Sequence, residues 1–308
     1  MNRVTFRATM AQISVPASSA NIGPGFDTLA IALDLRDHYA AQILDDPIFD
    51  VDVTGEGAED VKKDKNHLVI KAMMKGFDFM GAKPRGIALR ALNNTPHGRG
   101  LGSSSSAIVG GLALARALVL GGDELLPDEE IMALATELEG HPDNVAAALY
   151  GGATIAWMDS SLTPEPVGRA VKIQVDARIK AIVFIPENHL ATSKARKLLP
   201  ENIAHADAVA NTAHVALLVH ALSHRPDLLF TATEDHLHQD YRAEAMPKSS
   251  ALLKKLRAAG VAATISGAGP SVLVLHTGSE QDADDIIHAA GSGFTAKKLA
   301  ISAQGISA

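Results

Sequence analysis

The 308-residue sequence contains no cysteine, and only one tryptophan and three tyrosines. Without cysteine the chain cannot form a disulfide, bind a metal through thiolates or attack a substrate with a thiol. It also lacks any run of about 18 apolar residues, the length that a transmembrane helix needs. These absences exclude disulfide-rich proteins and helical membrane proteins, and they are consistent with a reducing compartment.

Negative charge predominates, because 35 Asp and Glu residues face 28 Lys and Arg residues and leave a net charge of -7. Nucleic-acid binding depends on Lys and Arg that neutralise phosphates, so we expect no nucleic-acid partner, although a local site for a small anion stays open. Residues 1–7 are not followed by the apolar stretch of a signal peptide. We therefore expect a cytoplasmic protein without a membrane partner; the sequence leaves a homodimer open.

Apolar residues alternate or run over strand lengths in some segments and recur at helical spacing in others. The predicted strands cover residues 11–15, 28–35, 40–44, 49–53, 85–92, 152–157, 180–185, 262–265 and 272–275. The predicted helices cover residues 67–80, 104–120, 128–138, 207–222 and 249–259. Because the strands come in antiparallel-looking groups and do not alternate regularly with helices, we expect an α+β fold.

The length of the chain is sufficient for two domains. Residues 159–166 lie near the middle and are rich in proline and serine, which makes them the best candidate linker. We therefore expect an N-terminal domain of residues 1–160 and a C-terminal domain of residues 161–308. The polar segment at residues 17–27, after the first strand, is predicted to be a loop.

Residues 96–106, Pro-His-Gly-Arg-Gly-Leu-Gly-Ser-Ser-Ser-Ser, lead directly into an apolar helix. A helix begins with unpaired N–H groups at the positive end of its dipole, so a glycine loop at this point can wrap around a phosphate. The loop is not a Walker A loop, since no lysine follows its second glycine, nor a typical dinucleotide-binding loop. Taken alone, it is equally consistent with a flexible connection whose last serine caps the helix.

Two further segments combine glycine with polar side chains. Residues 266–271 form a second glycine-rich turn, which by itself is at least as consistent with a tight hairpin. Residues 139–144, Glu-Gly-His-Pro-Asp-Asn, place a carboxylate, an imidazole and an amide in one short loop. The Glu139 carboxylate and the hydroxyl of Ser103 or Ser104 are the oxygen ligands that Mg²⁺ prefers. The alternative is an ordinary helix end stopped by a glycine.

Several histidines cluster in the C-terminal half, and two of them, His220 and His224, share a helix face at i, i+4 spacing, which could suggest zinc. Neither an H-E-x-x-H pattern nor a carboxylate at zinc-protease spacing accompanies them. These histidines are His205, His214, His220, His224, His236 and His238. The sequence also lacks the G-x-S-x-G pattern of serine hydrolases. Neither a zinc enzyme nor a serine hydrolase is therefore favoured.

In their order and separation, residues 16–27, 96–106 and 266–271 resemble the three motifs of the GHMP small-molecule kinase superfamily. The resemblance extends from residue 11 to residue 275. It implies a two-domain α+β fold, with an N-terminal ribosomal-protein-S5-like domain that binds the nucleotide and a C-terminal ferredoxin-like α/β sandwich that contributes to the substrate site. It also implies ATP as phosphoryl donor and Mg²⁺ as cofactor.

Within this superfamily, the resemblance is to the members that phosphorylate the side-chain hydroxyl of L-homoserine in threonine biosynthesis. It implies that nucleotide contacts come from Pro96, Gly98, Arg99, Gly100, Leu101, Gly102, Ser103, Ser104, Ser105, Ser106, Gly267 and Gly269. It implies that substrate contacts come from Asn21, Asp27, Asn144, Thr192, Arg196 and Arg242. The two arginines match positions that bind the carboxylate, for which a guanidinium is well suited.

The resemblance assigns Mg²⁺ to Glu139 and Ser104, with Glu137 as the alternative to Glu139. Asn144 lies where mevalonate kinases have an aspartate, and an amide cannot usefully accept a proton. We therefore expect Asn144, Ser104 and Glu139 to act by positioning and charge neutralisation. His141 or Asp143 stays open as a base. The alternative functions are another GHMP kinase and a nucleotide-binding regulator without turnover.

Overall fold

The computed structural model describes residues 4–161 and 165–308. Up to residue 173 the elements are β1 (Ala11–Asn21), β2 (Gly25–Leu44), β3 (Phe49–Gly55), α1 (Leu68–Phe79), β4 (Gly86–Asn93), α2 (Ser103–Ala117), α3 (Gly122–Leu125), α4 (Asp128–Glu139), α5 (Asp143–Tyr150), β5 (Ala153–Asp159) and β6 (Val167–Ile173). The later elements are β7 (Lys180–Ile185), α6 (Thr192–Arg196), α7 (His205–Ser223), α8 (Leu229–Ala232), α9 (Gln239–Arg242), α10 (Pro247–Ala258), β8 (Ala263–Ile265), β9 (Val272–His276), α11 (Glu280–Ala290) and β10 (Thr295–Ala300). Within these described ranges, no helix combines the length and the apolar character needed to cross a membrane.

The first sheet is organised around the long strand β2. Strand β1 runs antiparallel along one edge of β2, while the opposite edge pairs with β5 at residues 29–31 and with β4 at residues 38–44. Strand β3 lies parallel to β4 at one end of the sheet, and β6 lies antiparallel to β5 at the other. Because β3 and β4 are parallel, the chain between them must cross over the sheet, and α1 is that crossover.

Helices α1, α2, α4 and α5 share a hydrophobic core with this sheet. In β4, Ile87 and Leu89 are buried in that core, whereas Arg90 is exposed, as the two-residue period of a strand requires. Helix α2 is buried on almost all sides, and a Cβ at its Gly111 would crowd the backbone of Val69 in α1. The helix that begins at the glycine-rich loop is therefore the central helix of the core.

The second sheet has the strand order β10-β7-β9-β8, with every neighbouring pair antiparallel. Phe184 of β7 faces a core formed with α10 and α11. Val183, the preceding residue, faces a different core that includes Leu218 of α7 and Ile31 of β2. The second sheet is thus covered by helices on one face and joined to the first sheet through the other.

The α+β class predicted from the sequence is confirmed. Strands β7 to β10 and the helices between them follow the β-α-β-β-α-β order of a ferredoxin-like fold. The helices predicted at residues 67–80, 128–138 and 249–259 are confirmed as α1, α4 and α10. The strand predicted at residues 180–185 is confirmed as β7.

Two strands of the structure, β1 and β2, are longer than the sequence predicted. Strand β1 continues beyond Pro16, where the sequence predicted its end, because a register shift directly after the proline accommodates its missing N–H. The strands predicted at residues 28–35 and 40–44 are one strand, β2. Asp37 lies between them, is buried, and accepts hydrogen bonds of 2.7 and 2.9 Å from two backbone N–H groups that follow β4.

The prediction of a loop over residues 17–27 is wrong for most of that segment. Only residues 22–24 separate β1 from β2. Ser18 and Ser19 are fully buried, and their hydroxyls form hydrogen bonds with side chains from α5 and from the turn after β8. The polar composition suggested a loop, but these side chains have buried partners elsewhere in the fold and the backbone is a strand.

The segment predicted as a linker, residues 159–166, instead connects two neighbouring strands of the first sheet. Strands β5 and β6 pair antiparallel from Ala153 opposite Ile173 to Asp159 opposite Val167. Residues 162–164 lie outside the described residues. This pairing makes residues 167–173 part of the first sheet. The division of the chain into two domains at residue 160 stays a prediction.

Helix α1 offers a matched pair of phenylalanines for testing the first core. Phe77 is fully buried, with its ring edge-on to Phe6 at 5.5 Å, whereas Phe79 is 46% exposed. We expect Phe77→Ala to lower the free energy of unfolding by about 3–5 kcal/mol, because it leaves a cavity. Phe79→Ala should cost less than about 1 kcal/mol. Denaturant unfolding measures both values, and equal losses would contradict this packing.

Candidate active site

A cavity of about 200 Å³ lies between the two halves of the chain. Its walls are the end of β1, the start of β2, the loop before α2, the connection from α4 to α5, helix α6 with the two residues before it, the end of α9 and the turn after β8. The predicted residues that line it are Asn21, Asp27, Gly98, Gly100, Leu101, Gly102, Ser103, Ser104, Glu139, Asn144, Thr192, Arg196, Arg242 and Gly267. The fold thus brings most of the predicted site residues together from distant parts of the sequence.

The loop before α2 has the geometry of an anion-binding loop. Gly98, Gly100 and Gly102 have φ angles of +64°, +73° and +70°, in the left-handed region that favours glycine. A Cβ at Gly100 would overlap the carbonyl oxygen of Ser266, and one at Gly102 would overlap the hydroxyl of Ser18. Left-handed residues that alternate along a loop can turn neighbouring N–H groups to one side. The positive end of the α2 dipole adds to the same side.

The four serines after the loop divide into two pairs. Ser103 and Ser104 line the cavity. Ser105 and Ser106 are fully buried: the hydroxyl of Ser105 donates to Glu139 at 3.0 Å, and that of Ser106 lies 3.2 Å from a buried tyrosine hydroxyl of β2. Only the first two serine side chains therefore face a ligand, while the other two fix the start of the helix.

Besides Ser105 and Ser106, three more residues predicted to bind nucleotide do not line the cavity. Pro96 is buried behind the loop. Arg99 donates to the carbonyl oxygens of His97 and Pro186, each at 2.8 Å, and so ties the loop to the segment after β7. Gly269 packs against a methionine that precedes α10. These residues hold the loop and the turn in place without facing the cavity.

Buried hydrogen bonds join the three glycine-bearing segments. The hydroxyl of Ser266, after β8, donates to the carbonyl of Gly100 at 2.6 Å and lies 2.8 Å from the hydroxyl of Ser19 in β1. The side-chain amide of Asn21 donates to the carbonyl of Gly267 at 2.8 Å. The relative position of the three segments is therefore fixed by their own polar groups.

Glu139 is the last residue of α4, and it accepts a hydrogen bond from Ser104 at 2.6 Å. The alternative carboxylate, Glu137, is bound instead to Lys75 at 2.8 Å on the surface. Glu139 and Ser104 offer adjacent oxygen atoms at the cavity wall, which is the donor set that suits Mg²⁺. The residues present thus fit a magnesium ion, and they favour Glu139 over Glu137 as its ligand.

The connection between α4 and α5 adds a charged pair to the cavity. His141 Nδ1 lies 2.8 Å from an oxygen of Asp143. Burial by itself would lower the pKa of His141, but the hydrogen bond to Asp143 and nearby carboxylates outweigh burial and raise that pKa above its usual value. The next residue, Asn144, accepts a hydrogen bond from Ser18 at 2.8 Å. This wall therefore combines a histidine–carboxylate pair with a fixed amide.

Asp27 and Arg196 form a bidentate ion pair in the wall, with nitrogen–oxygen distances of 2.7 and 2.9 Å. Asp27 has a φ of +52°, and its N–H donates to the side-chain oxygen of Asn21 at 3.0 Å. Since the amide nitrogen of Asn21 already donates to the turn after β8, both ends of its side chain are engaged. Asn21 thus supports the conformation of Asp27.

Arg242 is 1% exposed and lines the same cavity. Its Nη1 donates to His238 at 3.2 Å, and its Nε has no hydrogen-bond partner among the residues that the structure describes. The Phe26 ring lies 5.2 Å from this guanidinium and 5.6 Å from that of Arg196. Burial, and then the positive charge of Arg196, lower the pKa of Arg242. The wall therefore contains a buried cation that forms no ion pair with an acidic side chain in the part of the chain that the structure describes.

A second cavity, of about 300 Å³, shares Ser103 and Ser104 with the first. Its other lining residues are Tyr39, Val61, Lys62, Asn66, His67, Leu68, Val69, Asn93, His97 and Ala107. The sequence did not indicate this cavity, because these residues come mainly from segments around α1 and β4 that carry no motif. It extends the space beyond the anion-binding loop.

Comparison with known proteins decides the family. The chain matches the family model of the GHMP kinases N terminal domain at residues 66–152 and that of the GHMP kinases C terminal domain at residues 218–296. A homoserine kinase from Streptomyces avermitilis is 47% identical, over 98% of this chain and 96% of its own length. The homoserine kinase from Mycobacterium tuberculosis is 44% identical, over 95% and 92%. The chain belongs to the homoserine kinase family of GHMP kinases.

Solved structures agree with this assignment. The crystal structure of homoserine kinase from Cytophaga hutchinsonii matches with a TM-score of 0.82 and 27% identity, over 98% of this chain and 99% of its own. The L. major mevalonate kinase structure in complex with R-mevalonate has a TM-score of 0.69 at 16% identity, over 98% of each chain, and so shares the fold. The two-domain GHMP kinase fold predicted from the sequence is confirmed.

Some residues of this homoserine kinase site escaped the sequence analysis. Ser18, Phe26 and Ser266 lie inside recognised motifs, but nothing in the sequence indicated their contacts with Asn144, with the arginines or with the glycine loop. His238 was considered only as one of many histidines. Its position four residues before Arg242 could have revealed it, because residues at this spacing are neighbours on a helix.

We expect Asp143→Asn to lower the pKa of His141, because it removes the carboxylate that stabilises the imidazolium. Histidine NMR titration measures this shift. A pKa raised by folding adds stability that is complete below the pKa of the unfolded chain and is lost as the pH rises through the folded-state pKa. The substitution should therefore cost more free energy of unfolding at about pH 5.5 than at about pH 9. Equal costs at both pH values would contradict this interaction.

Proposed function

We propose that this chain transfers the terminal phosphoryl group of ATP to the side-chain hydroxyl of L-homoserine, which yields O-phospho-L-homoserine for threonine biosynthesis. Two homoserine kinases that are 47% and 46% identical to this chain, over 98% and 97% of its length, support the proposal. This reaction needs an anchor for a zwitterion, a cradle for phosphates and a cation between them. The cavity has residues suited to each task.

The observation that carries the proposal is the buried guanidinium of Arg242. Its Nε has no hydrogen-bond partner among the described residues, and a buried charge that is incompletely paired is costly, so the cavity is suited to an anionic ligand. The planar guanidinium matches a carboxylate, to which it can donate two parallel hydrogen bonds. We place the carboxylate of homoserine against Arg242, with Arg196 as the second cation across the Phe26 ring.

The ammonium group of homoserine is proposed to bind beside Asp27. The Asp27–Arg196 pair presents one charge of each sign to the cavity, which corresponds to the two charges of an amino acid. The hydroxyl of Thr192 lies in the same lining and is available to the substrate. Asn21 contributes by holding the backbone of Asp27.

The phosphates of ATP are proposed to bind the loop before α2. The glycines of that loop leave room for close approach, and the N–H groups that open α2 have no helical partner. The turn at Gly267 closes the opposite side. The second cavity begins at Ser103 and Ser104, so it is the place we assign to the nucleoside part.

Glu139 and Ser104 are the residues that would hold Mg²⁺. When bound, this ion neutralises charge on the phosphates, as the lysine of a Walker A loop does elsewhere. The fixed contact between the two side chains holds their oxygen atoms together at the edge of the phosphate loop. Glu137 has no such contact, because it faces Lys75.

We propose that the acceptor hydroxyl reacts without a strong general base. Asn144 cannot accept a proton, and the Nδ1 atom of His141 is already engaged by the carboxylate of Asp143. Asp143 accepts hydrogen bonds from His141 and from the N–H of Asn144, at 2.8 and 2.7 Å. Asn144, Ser104 and Glu139 would therefore act through orientation and charge.

We also propose, from the composition, a cytoplasmic protein that binds neither nucleic acid nor membrane. A homodimer is a further proposal, and gel filtration of the full chain tests it. The alternative functions are another GHMP kinase and a nucleotide-binding regulator. The first would prefer an acceptor that is not an amino acid, and the second would bind ATP without turnover.

An assay of ADP release tests the substrate assignment. We expect the fastest turnover with L-homoserine among L-homoserine, L-threonine, L-serine, mevalonate and galactose. The analogue 3-aminopropan-1-ol is homoserine without the carboxylate, and its kcat/KM should be lower by at least about tenfold, because it loses the arginine contacts. Faster turnover of mevalonate or galactose would overturn the assignment. Tight ATP binding without ADP release would favour the regulator.

The two glutamates of α4 provide a matched pair for the metal assignment. Glu139→Gln should raise the Mg²⁺ concentration for half-maximal activity by at least about tenfold, since it removes a charged ligand. Glu137→Gln removes only an exposed ion pair and should change that concentration by less than about twofold. Titration of activity with Mg²⁺ measures both, and a larger effect at Glu137 would reverse the assignment.

A further inference from the structure

The guanidinium of Arg242 has one side-chain hydrogen-bond partner among the described residues, the Nδ1 atom of His238 at 3.2 Å. His238 is the residue that precedes α9, and Arg242 is the last residue of that helix. The imidazole is fully buried. The Phe26 ring lies 5.2 Å from the guanidinium and 5.3 Å from the imidazole, and so packs against both. Phe26 limits where the guanidinium can lie, whereas His238 orients it through a directional bond.

The second ring nitrogen of His238 determines which form of the imidazole is present. Nε2 lies 2.9 Å from the carbonyl oxygen of Gly23, which can only accept, so Nε2 must carry a proton. Nδ1 then keeps the lone pair that the N–H of Arg242 requires. Burial lowers the pKa of His238 against the opposing charge of Asp235, which agrees with a neutral ring. His238 thus connects Arg242 to the turn between β1 and β2, which also leads to Asp27.

The segment that carries His238 is itself held firmly. The buried carboxylate of Asp235 accepts hydrogen bonds from the N–H groups of residues 237, 238 and 239, at 3.0, 3.1 and 2.8 Å. The side chain of Gln239 accepts a hydrogen bond of 2.6 Å from the N–H of Ile265, at the end of β8. An imidazole supported in this way has little freedom to move, and this makes it suited to orienting another side chain.

We propose that His238 is a positioning residue: its Nδ1 lone pair holds Arg242 in the orientation that binds the carboxylate of the substrate, and so sets the affinity for L-homoserine. The inference rests on the proposed function. His238 is absent from the cavity lining, and its two ring nitrogens lie against Gly23 and Arg242. Its loss should therefore weaken substrate binding and leave the transfer step of the bound substrate unchanged.

Two substitutions separate the roles of the two ring nitrogens. The oxygen of an asparagine, like Nδ1, is attached to Cγ, so His238→Asn keeps an acceptor for Arg242. The amide nitrogen of a glutamine takes the place of Nε2, so His238→Gln keeps the donor to Gly23 and loses that acceptor. We expect His238→Gln to raise the KM for L-homoserine by about tenfold, and His238→Asn to stay within about threefold of the natural chain.

Three readouts distinguish positioning from general damage. The kcat with L-homoserine and the KM for ATP should stay the same in His238→Gln, whereas a disordered site would change both. The kcat/KM for 3-aminopropan-1-ol should also stay the same, because this analogue has no carboxylate for Arg242. Finally, in an Arg242→Ala background, His238→Gln should cause no further increase in KM, since coupled residues are not additive. Thermal unfolding shows whether each variant is folded under the assay conditions.

The possible results separate this inference from the proposed function. If the natural chain phosphorylates L-homoserine and His238→Gln leaves its KM unchanged, or if His238→Asn is impaired as strongly as His238→Gln, the positioning role is wrong and the function stands. Additive effects of His238→Gln and Arg242→Ala would overturn the positioning role in the same way. If the natural chain neither phosphorylates L-homoserine nor binds it in calorimetry, the proposed function fails, and the inference fails with it.

Discussion

One buried hydroxyl, that of Ser266, lies at the junction of the three glycine-bearing segments. It donates to Gly100 in the loop before α2 and contacts Ser19 in β1, while Asn21 of β1 donates to Gly267 in the turn after β8. Buried polar groups are costly when they are left unpaired, so each segment is held by partners that the other two provide. The relative position of the three segments, and with it the placement of the cavity-lining groups that they carry, depends on these bonds.

The charged side chains of the site, unlike the polar groups that join the three segments, are not all paired with one another. Asp27 is paired with Arg196, and His141 with Asp143, but Arg242 is left with a neutral imidazole as its partner. An incomplete set of partners around a buried charge in a cavity wall has a physical meaning, because a ligand of the right charge completes it. The cavity is thus suited to an anionic ligand.

The distance along the chain between interacting residues explains which parts of the structure the sequence could predict. Helices α1, α4 and α10 and strand β7 follow apolar periodicities that are local, and the sequence analysis placed them accurately. Strands β1 and β2 were predicted poorly, because buried Ser18, Ser19 and Asp37 have partners far away in the chain. A polar residue with a distant partner looks like a loop residue until the partner is known. Residues 159–166 have the composition of a linker, but the strands on either side of them pair with each other, and composition alone does not show such pairing.

The sequence by itself determined the family motifs, the α+β class and the residue types that a phosphate, a metal ion and an amino acid require. Motifs are local, so their residues and spacing can be recognised along the chain without knowledge of the fold. Only the tertiary structure decided which members of each motif face the cavity: Ser104 but not Ser106, and Glu139 but not Glu137. It also showed that the buried imidazole of His238 links Arg242 to the carbonyl oxygen of Gly23, because hydrogen-bond partners and burial are properties of neighbours in space, and residue 23 meets residues 238 and 242 only in the folded chain.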